Sequence, residues 1–294
     1  MKNPNFFIIG APKCGTTSLH GWLAQHPEIY MSSIKEPHHF SSDLAFNDDW
    51  CDPKHYNALF EGADERHKAV GESSVYYLRS RVAVPNIEKA LPGSRYIVML
   101  RNPVEMAPSM HGQIVFNADE NITSFQQAWK LDPSRERGEN IPARCSDPKL
   151  VQYRLTCTLG EQLARLYDTV GRDRVLTIFM DDIKADVRKE WVRILEFLGV
   201  SYWDELDFEP VNQARHLQWP WVRDLYWTYT AVRKKLHLRP PGLGVFALLE
   251  RIASSEAKRD VISEDLHKDL VATFSADIDL LAELTGRDLS HWKA

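Results

Sequence analysis

No stretch of this sequence approaches the roughly 20 consecutive apolar residues that a membrane-spanning helix needs. The apolar run at the N-terminus, Phe6 to Ile9, is also too short for the core of a secretory signal. Cysteine is scarce. Cys14, Cys51, Cys145 and Cys157 form neither a CxxC pair nor a metal-ligand spacing, which argues for free thiols over a disulfide framework or a zinc site. An excess of positive charge is missing too: 36 Lys and Arg against 41 Asp and Glu leave a formal charge of -5. That balance argues against a nucleic-acid binder, whose footprint is a basic domain, and against an open basic groove for a polysaccharide. Local basic residues can still hold a small polyanion. There is no repeat and no low-complexity tail. What remains is the expectation of a cytoplasmic globular protein. Its 294 residues and 44% hydrophobic content suit one domain spanning residues 1–294.

Short β-rich runs alternate with longer helical patterns, which predicts an α/β fold of three layers, a central parallel sheet flanked by helices. Asn5–Ile9, Tyr96–Leu100 and Val175–Met180 read as buried strands, Ala69–Ser73 as a weaker one, and Ile29–Ser32 as a short extended stretch. Helical spacing covers Thr17–Gln25, Val82–Leu91, Leu159–Val170, Val187–Leu198 and about Glu264–Leu284, several of them ended by glycine or Pro-Gly. Two stretches read as irregular decorations. One is polar and exposed, at 132–148. The other, at 209–244, is rich in Trp, Tyr and Arg.

The first strand runs into Gly10-Ala-Pro-Lys-Cys-Gly-Thr-Thr-Ser18 and then into a helix. At such a junction backbone N–H groups and a helix N-terminus can hold an anion. The spacing Gly10…Gly15 fits the P-loop frame, but the lysine slot is Thr16 and the lysine present is Lys13, inside the loop. Nor does an aspartate follow the strand Tyr96–Leu100, where a Mg²⁺-dependent NTPase would want one; Arg101 stands there. Arg101 lies at the carboxyl end of a predicted parallel strand, where open α/β sheets bind ligands. Ser109 falls on the first turns of the helix that Pro103 opens. An arginine fork and a hydroxyl together can grip a terminal phosphate. The bland readings are a tight strand-to-helix turn, an arginine capping a strand end and a serine facing water.

In this order, FIIGAPKCGTTSL, KEPHHF, YIVMLRNPVEMAPSM and LTGRDLSHW resemble the sulfotransferases that use 3′-phosphoadenosine 5′-phosphosulfate (PAPS), most of all the heparan-sulfate-type and bacterial branch. The resemblance implies a P-loop-like nucleotide-binding fold and PAPS as co-substrate, with no metal required. It implies that Lys13, Cys14, Gly15, Thr16, Thr17 and Ser18 bind the 5′-phosphosulfate, with Lys13 on the leaving oxygen, and that Arg101 and Ser109 bind the 3′-phosphate. Val211–Arg215 resembles the family's late loop over the nucleotide. The sequence departs from the pattern at Met106 and Pro108, where a basic and an aromatic residue are common, and Pro108 would disturb the helix that carries Ser109. It departs again at Ser73, where heparan-type relatives often carry a lysine.

An acceptor hydroxyl needs its proton taken as the new S–O bond forms. Lys35-Glu36-Pro37-His38-His39-Phe40 resembles the segment bearing the family's catalytic glutamate, which implies Glu36 as general base with His38 assisting. His38, His39 and Glu72 stay open as alternative bases. Taken as residues alone, a Lys-Glu pair is most often solvated surface charge. Trp219, Trp221, Tyr226, Trp227 and Tyr229 either wall an acceptor pocket or pack in a core. The acceptor expected is a hydroxyl on a small metabolite, glycan or glycolipid. An amine acceptor, a P-loop kinase or NTPase and a non-catalytic nucleotide sensor are the competing readings.

Overall fold

The computed structural model describes residues 2–45, 51–208, 215–217, 254–256 and 262–294. Its centre is a five-stranded parallel sheet in the order β2-β3-β1-β4-β5, built from β1 (Phe6–Gly10), β2 (Ile29–Met31), β3 (Ala69–Ser73), β4 (Arg95–Leu100) and β5 (Val175–Phe179). Every residue of β1 is buried, as the unbroken apolar run requires of a strand covered on both faces. β1 pairs with β3 from Phe6↔Gly71 to Ile8↔Ser73 and with β4 from Phe6↔Arg95 to Gly10↔Val98, with a register shift between Ile8 and Gly10. A Cβ on Gly71 would sit 2.1 Å from the Phe6 ring, so only glycine lets β3 lie this close to β1.

Among the described residues the helices are α1 (Thr16–Leu23), α2 (Pro53–Ala58), α3 (Ala83–Ala90), α4 (Pro103–Phe116), α5 (Phe125–Glu136), α6 (Tyr153–Cys157), α7 (Leu159–Val170), α8 (Met180–Ala185), α9 (Val187–Leu198) and α10 (Glu264–Thr285). The longest, α10, buries Leu266, Leu270, Phe274, Ile278 and Leu281 as a stripe at helical spacing and packs on α7. No helix among the described residues is long and apolar enough to cross a membrane. A short antiparallel pair, β6 (Arg215–Leu217) with β7 (Ser254–Glu256), stands apart from the main sheet.

The strand order places a topological switch at β1. The chain leaves β1 for β2 and β3 on one side, then crosses to β4 and β5 on the other. In such sheets the crevice beyond the carboxyl ends of the strands at the switch is where ligands bind. The loops after β1 and β4, bearing Lys13 and Arg101, meet there.

Two expectations are corrected. The stretch 132–148 begins inside α5, which continues through Pro133 to Glu136. Asp132 and Arg135 have no exposed surface. The reason is pairing: Arg135 Nη1 donates to Glu120 Oε2 at 2.6 Å, and Asp132 Oδ1 accepts from the Tyr153 amide at 2.5 Å. Polar composition signals exposure only when the charges lack buried partners. Pro108, in turn, does not break α4. It forfeits one intrahelical donor, to the Val104 carbonyl, near a helix start that Pro103 and the Asn102 side chain (3.0 Å to the Val104 amide) already fix. Val211–Ala214, the aromatic stretch 218–229 and the rest of the decoration to 244 lie outside the described residues.

Candidate active site

The loop after β1 is tied down by the Ala11 amide, which donates to the Met99 carbonyl of β4 at 2.7 Å. Gly15 is the N-cap of α1, at φ 83°, and a Cβ there would meet Met180 Sδ at 2.8 Å. Conformation and space both demand glycine. Because the cap carries no side chain, no side-chain cap hydrogen bond occupies the first turn of α1 among the described residues, and Thr16, Thr17 and Ser18 present amides at the positive end of the helix. Thr16 is buried; Thr17 and Ser18 are half-buried. Cys14 turns its thiol into the core, 4.0 Å from Met106 Sδ, and burial pushes its pKa up to about 12. The cysteine therefore brings only its backbone to the loop. Lys13, at φ 64°, donates from Nζ to Gln113 Oε1 at 3.1 Å. Burial, and then the charge of Arg101, lower its pKa.

Arg101 leaves the end of β4 and bridges the two loops. Its Nη1 donates to the Lys13 carbonyl at 3.3 Å, while Nε and Nη2 donate to Glu105 Oε2 at 3.2 and 2.7 Å. The next residue supports it: Asn102 donates to the Trp292 carbonyl at 3.1 Å, so the C-terminal LSHW segment buttresses this loop. Glu105, Ser109 and Gln113 stand four residues apart on α4 and share one face. Glu105 touches Arg101 and Gln113 touches Lys13, so Ser109 stands on the face that serves both cations. Sequence reasoning missed Glu105 and Gln113. The spacing from Ser109 on a predicted helix was the available signal.

On the other side of the crevice, β2 runs into the Lys35–Phe40 loop. The Glu36 carboxylate lies between Lys35 Nζ and His38 Nε2, the latter at 3.0 Å. Burial alone would raise its pKa, but the Lys35 charge and the hydrogen bond and charge of His38 outweigh it and hold the carboxyl at about 2. The charges of Lys35 and Glu36 reach Lys13, so the two sides of the crevice are electrostatic neighbours. Lys13, Glu36 and His38 have φ of 64°, 65° and 53°. Left-handed backbone at non-glycine residues is sparsely populated, costs of order 1–3 kcal/mol each, and clusters where geometry serves function. His39 is turned elsewhere, stacked on Tyr56 with ring centroids 4.1 Å apart. His20 of α1 is missed by sequence reasoning; burial first, and then the Lys35 charge, bring its pKa to about 4.

Glu72 of β3 has no exposed surface. Its carboxylate accepts from Tyr56 and Tyr77 hydroxyls at 2.7 and 3.2 Å and from the Ser74 hydroxyl. Those groups in turn hold the catalytic-loop candidates. Ser74 Oγ accepts from the His38 amide at 3.0 Å, Tyr77 Oη accepts from the Phe40 amide at 3.1 Å, and Tyr56 stacks on His39. Burial drives the Glu72 pKa up to about 7 against the pull of the three hydroxyls. Glu72 thus sits beneath the 36–40 loop as its anchor, with its oxygens already engaged. Next to it, Ser73 is fully buried, its hydroxyl without a hydrogen-bond partner among the described residues, at the position where a lysine is common in heparan-type chains.

The family model described as Sulfotransferase domain matches residues 3–218. Human carbohydrate sulfotransferase 15 is 32% identical over 295 residues, covering 78% of this chain and 52% of its own length. The membrane-associated sulfotransferase kil1 of Dictyostelium discoideum is 34% identical over 108 residues, covering 37% of this chain and 22% of its own. The chain thus spans about half or less of the curated relatives it matches. A crystal structure of a sulfotransferase from Alicyclobacillus acidocaldarius superposes with a TM-score of 0.71 at 28% identity, with both chains covered in full. The three-layer parallel architecture is therefore the P-loop-like α/β fold of that structure, and this chain belongs to the sulfotransferase family.

Proposed function

We propose that the chain transfers a sulfuryl group from PAPS to an acceptor hydroxyl and releases adenosine 3′,5′-bisphosphate. The observation that carries this reading is the Arg101–Lys13 contact at the switch point, 3.3 Å from guanidinium to carbonyl. It joins an uncapped helix N-terminus, a loop lysine and an arginine fork into one polyanion cradle. The first-turn amides of α1 (Thr16, Thr17, Ser18), the backbone of Cys14 and Gly15, and Lys13 suit the 5′-phosphosulfate. Arg101 and Ser109 suit the 3′-phosphate. Glu105 now holds Arg101 but is 49% exposed in its side chain, so a bound dianion displaces a partly solvated carboxylate.

In the in-line step a bond forms from the acceptor oxygen to sulfur as the bond from sulfur to the leaving phosphate oxygen breaks. Lys13 and the loop amides take up charge on the leaving oxygen. Glu36 accepts the acceptor proton in the transition state, when the attacking oxygen has become acidic, and His38 at 3.0 Å steadies the carboxylate. The likeness to a carbohydrate sulfotransferase supports a saccharide hydroxyl among the acceptors.

Calorimetric titration with adenosine 3′,5′-bisphosphate, repeated with ATP plus Mg²⁺ and with Arg101→Ala, tests the donor site. Metal-independent binding of the bisphosphate that is lost in the variant supports the reading. Good binding of ATP–Mg²⁺ with none of the bisphosphate overturns it in favour of an NTPase-type cradle.

A further inference from the structure

Beyond the donor crevice lies a cavity of about 180 Å³ whose lining includes Asp43, Arg79, Arg81, Lys149, Glu161 and Arg165. Drug-sized ligands occupy pockets of roughly 300–1,000 Å³, so this space suits one substituent of a ligand. Its charge is opposite to that of the chain. Four cations face two carboxylates, within a protein of formal charge -5. The carboxylates are also partly spent. Asp43 accepts from Ser80 Oγ at 2.5 Å and from the Arg81 amide at 3.1 Å, with Lys149 Nζ at 3.9 Å. Glu161 meets Arg81 at 3.5 Å on the exposed rim.

The two inner guanidiniums have no carboxylate within ion-pair distance among the described residues. Arg79 donates to Thr156 Oγ1 at 2.7 Å, Gln152 Oε1 at 2.8 Å and the Lys149 carbonyl. Arg165 donates to the Leu78 and Arg79 carbonyls at 2.6 and 3.2 Å. Both arginines have their pKa lowered, first by burial. Half-buried cations satisfied only by neutral acceptors leave positive potential directed into the cavity, and that potential suits an anion.

The cavity is tied to the proposed acceptor side through two chain segments. Asp43 continues the chain that carries Glu36 and His38, and Arg79 continues the segment whose Ser74 and Tyr77 hold that loop. Tyr76 is a neighbour of both sites: its ring is 5.8 Å from that of His38, and its hydroxyl feels the charges of both Glu36 and Arg79.

We propose that this cavity is an anion subsite of the acceptor, seating a sulfate, phosphate or carboxylate carried by the molecule whose hydroxyl faces Glu36. The proposal rests on the sulfuryl-transfer reading. It assigns the enzyme acceptors that are already acidic and makes Arg81 and Lys149 specificity-determining residues at the rim.

The test uses the full chain saturated with adenosine 3′,5′-bisphosphate and an Arg81→Gln/Lys149→Gln variant. Arg79 and Arg165 are left intact because together they hold the Lys149, Leu78 and Arg79 carbonyls, whereas among the described residues Arg81 holds none and Lys149 holds that of Asp43 alone. Binding of 4-nitrophenyl β-D-glucuronide and of the neutral 4-nitrophenyl β-D-glucoside is compared at fixed ionic strength, with inorganic sulfate as a further probe. The glucuronide should bind more tightly than the glucoside, and the double variant should lose about tenfold for the glucuronide alone, the scale of two modest ion pairs. Equal binding of the two glycosides, or an unchanged preference in the variant, overturns the proposal. Protection by sulfate without a glucuronide preference would make the cavity an ion site unrelated to the acceptor, which also overturns it. Bisphosphate binding should be equal in both proteins. Its absence from both would instead indict the donor reading, so the two failures are separable.

Discussion

Replacing Glu72 tests the claim that it anchors the catalytic loop and is not itself the base. The wild-type carboxyl has a folded pKa of about 7 against an ordinary 4.5. A raised folded pKa in an acid means the native state holds its proton more tightly than the unfolded state does. Its contribution to stability is thus full below about 4.5, falls as pH rises, and is gone above about 7. The gap corresponds to about 3 kcal/mol. Asp132, with its pKa raised to about 6 by burial, has a slope of the same sign. The informative quantity is therefore the difference between wild type and Glu72→Gln, followed by urea unfolding from pH 4.5 to 8.5. The stability of wild type minus that of Glu72→Gln should fall by about 3 kcal/mol across the range, because the amide cannot titrate. Glu72→Ala strands three buried hydroxyls and should cost about 3–9 kcal/mol, at 1–3 kcal/mol for each unsatisfied group. In kinetics, an anchor should lower kcat in Glu72→Gln yet leave the pH profile carrying the base's ionisation in place. A flat stability difference would refute the buried, proton-holding carboxyl, and loss of the acidic limb of the pH–rate profile would make Glu72 the base.

Glu36→Gln should lower kcat by about 10²- to 10⁴-fold with bisphosphate affinity unchanged, because it removes the proton acceptor and not the donor site; single-turnover rates with labelled PAPS check this. Lys13→Ala should lower kcat by about 10²- to 10³-fold, the scale of one lost donor to a developing oxyanion, whereas Gln113→Ala, which removes only the partner that orients Lys13, should have a smaller effect in the same assay. Glu120→Gln should destabilise the fold by about 3–5 kcal/mol, since it leaves Arg135 charged with no exposed surface on either partner of the original pair; a shift in the urea midpoint at unchanged slope would show it.

Much of the fold was legible because it follows from local periodicity. The buried runs Tyr96–Leu100 and Val175–Met180 became β4 and β5 within a residue at either end, and the glycine-stopped helices at 159–170 and 187–198 match α7 and α9. The glycine loop after the first strand was legible because Gly10, Gly15 and the hydroxyls after them form a local pattern at a strand-to-helix junction. So was the placing of Arg101 at a strand's carboxyl end.

What the sequence could not decide depends on residues far apart along the chain. Nothing local says that Lys13 meets Gln113, a hundred residues on, or that Arg101 divides itself between the Lys13 carbonyl and Glu105. The strand order makes that choice by setting β1 beside β4. The fate of the carboxylates was equally out of reach. Glu36, on the loop after β2, and Glu72, in β3, are the same residue type, yet one is held at about 2 by Lys35 and His38 while burial lifts the other to about 7. Composition reports the number of charges. Only the tertiary structure decides which are desolvated and which are paired, because burial and Coulomb energy depend on distances through space.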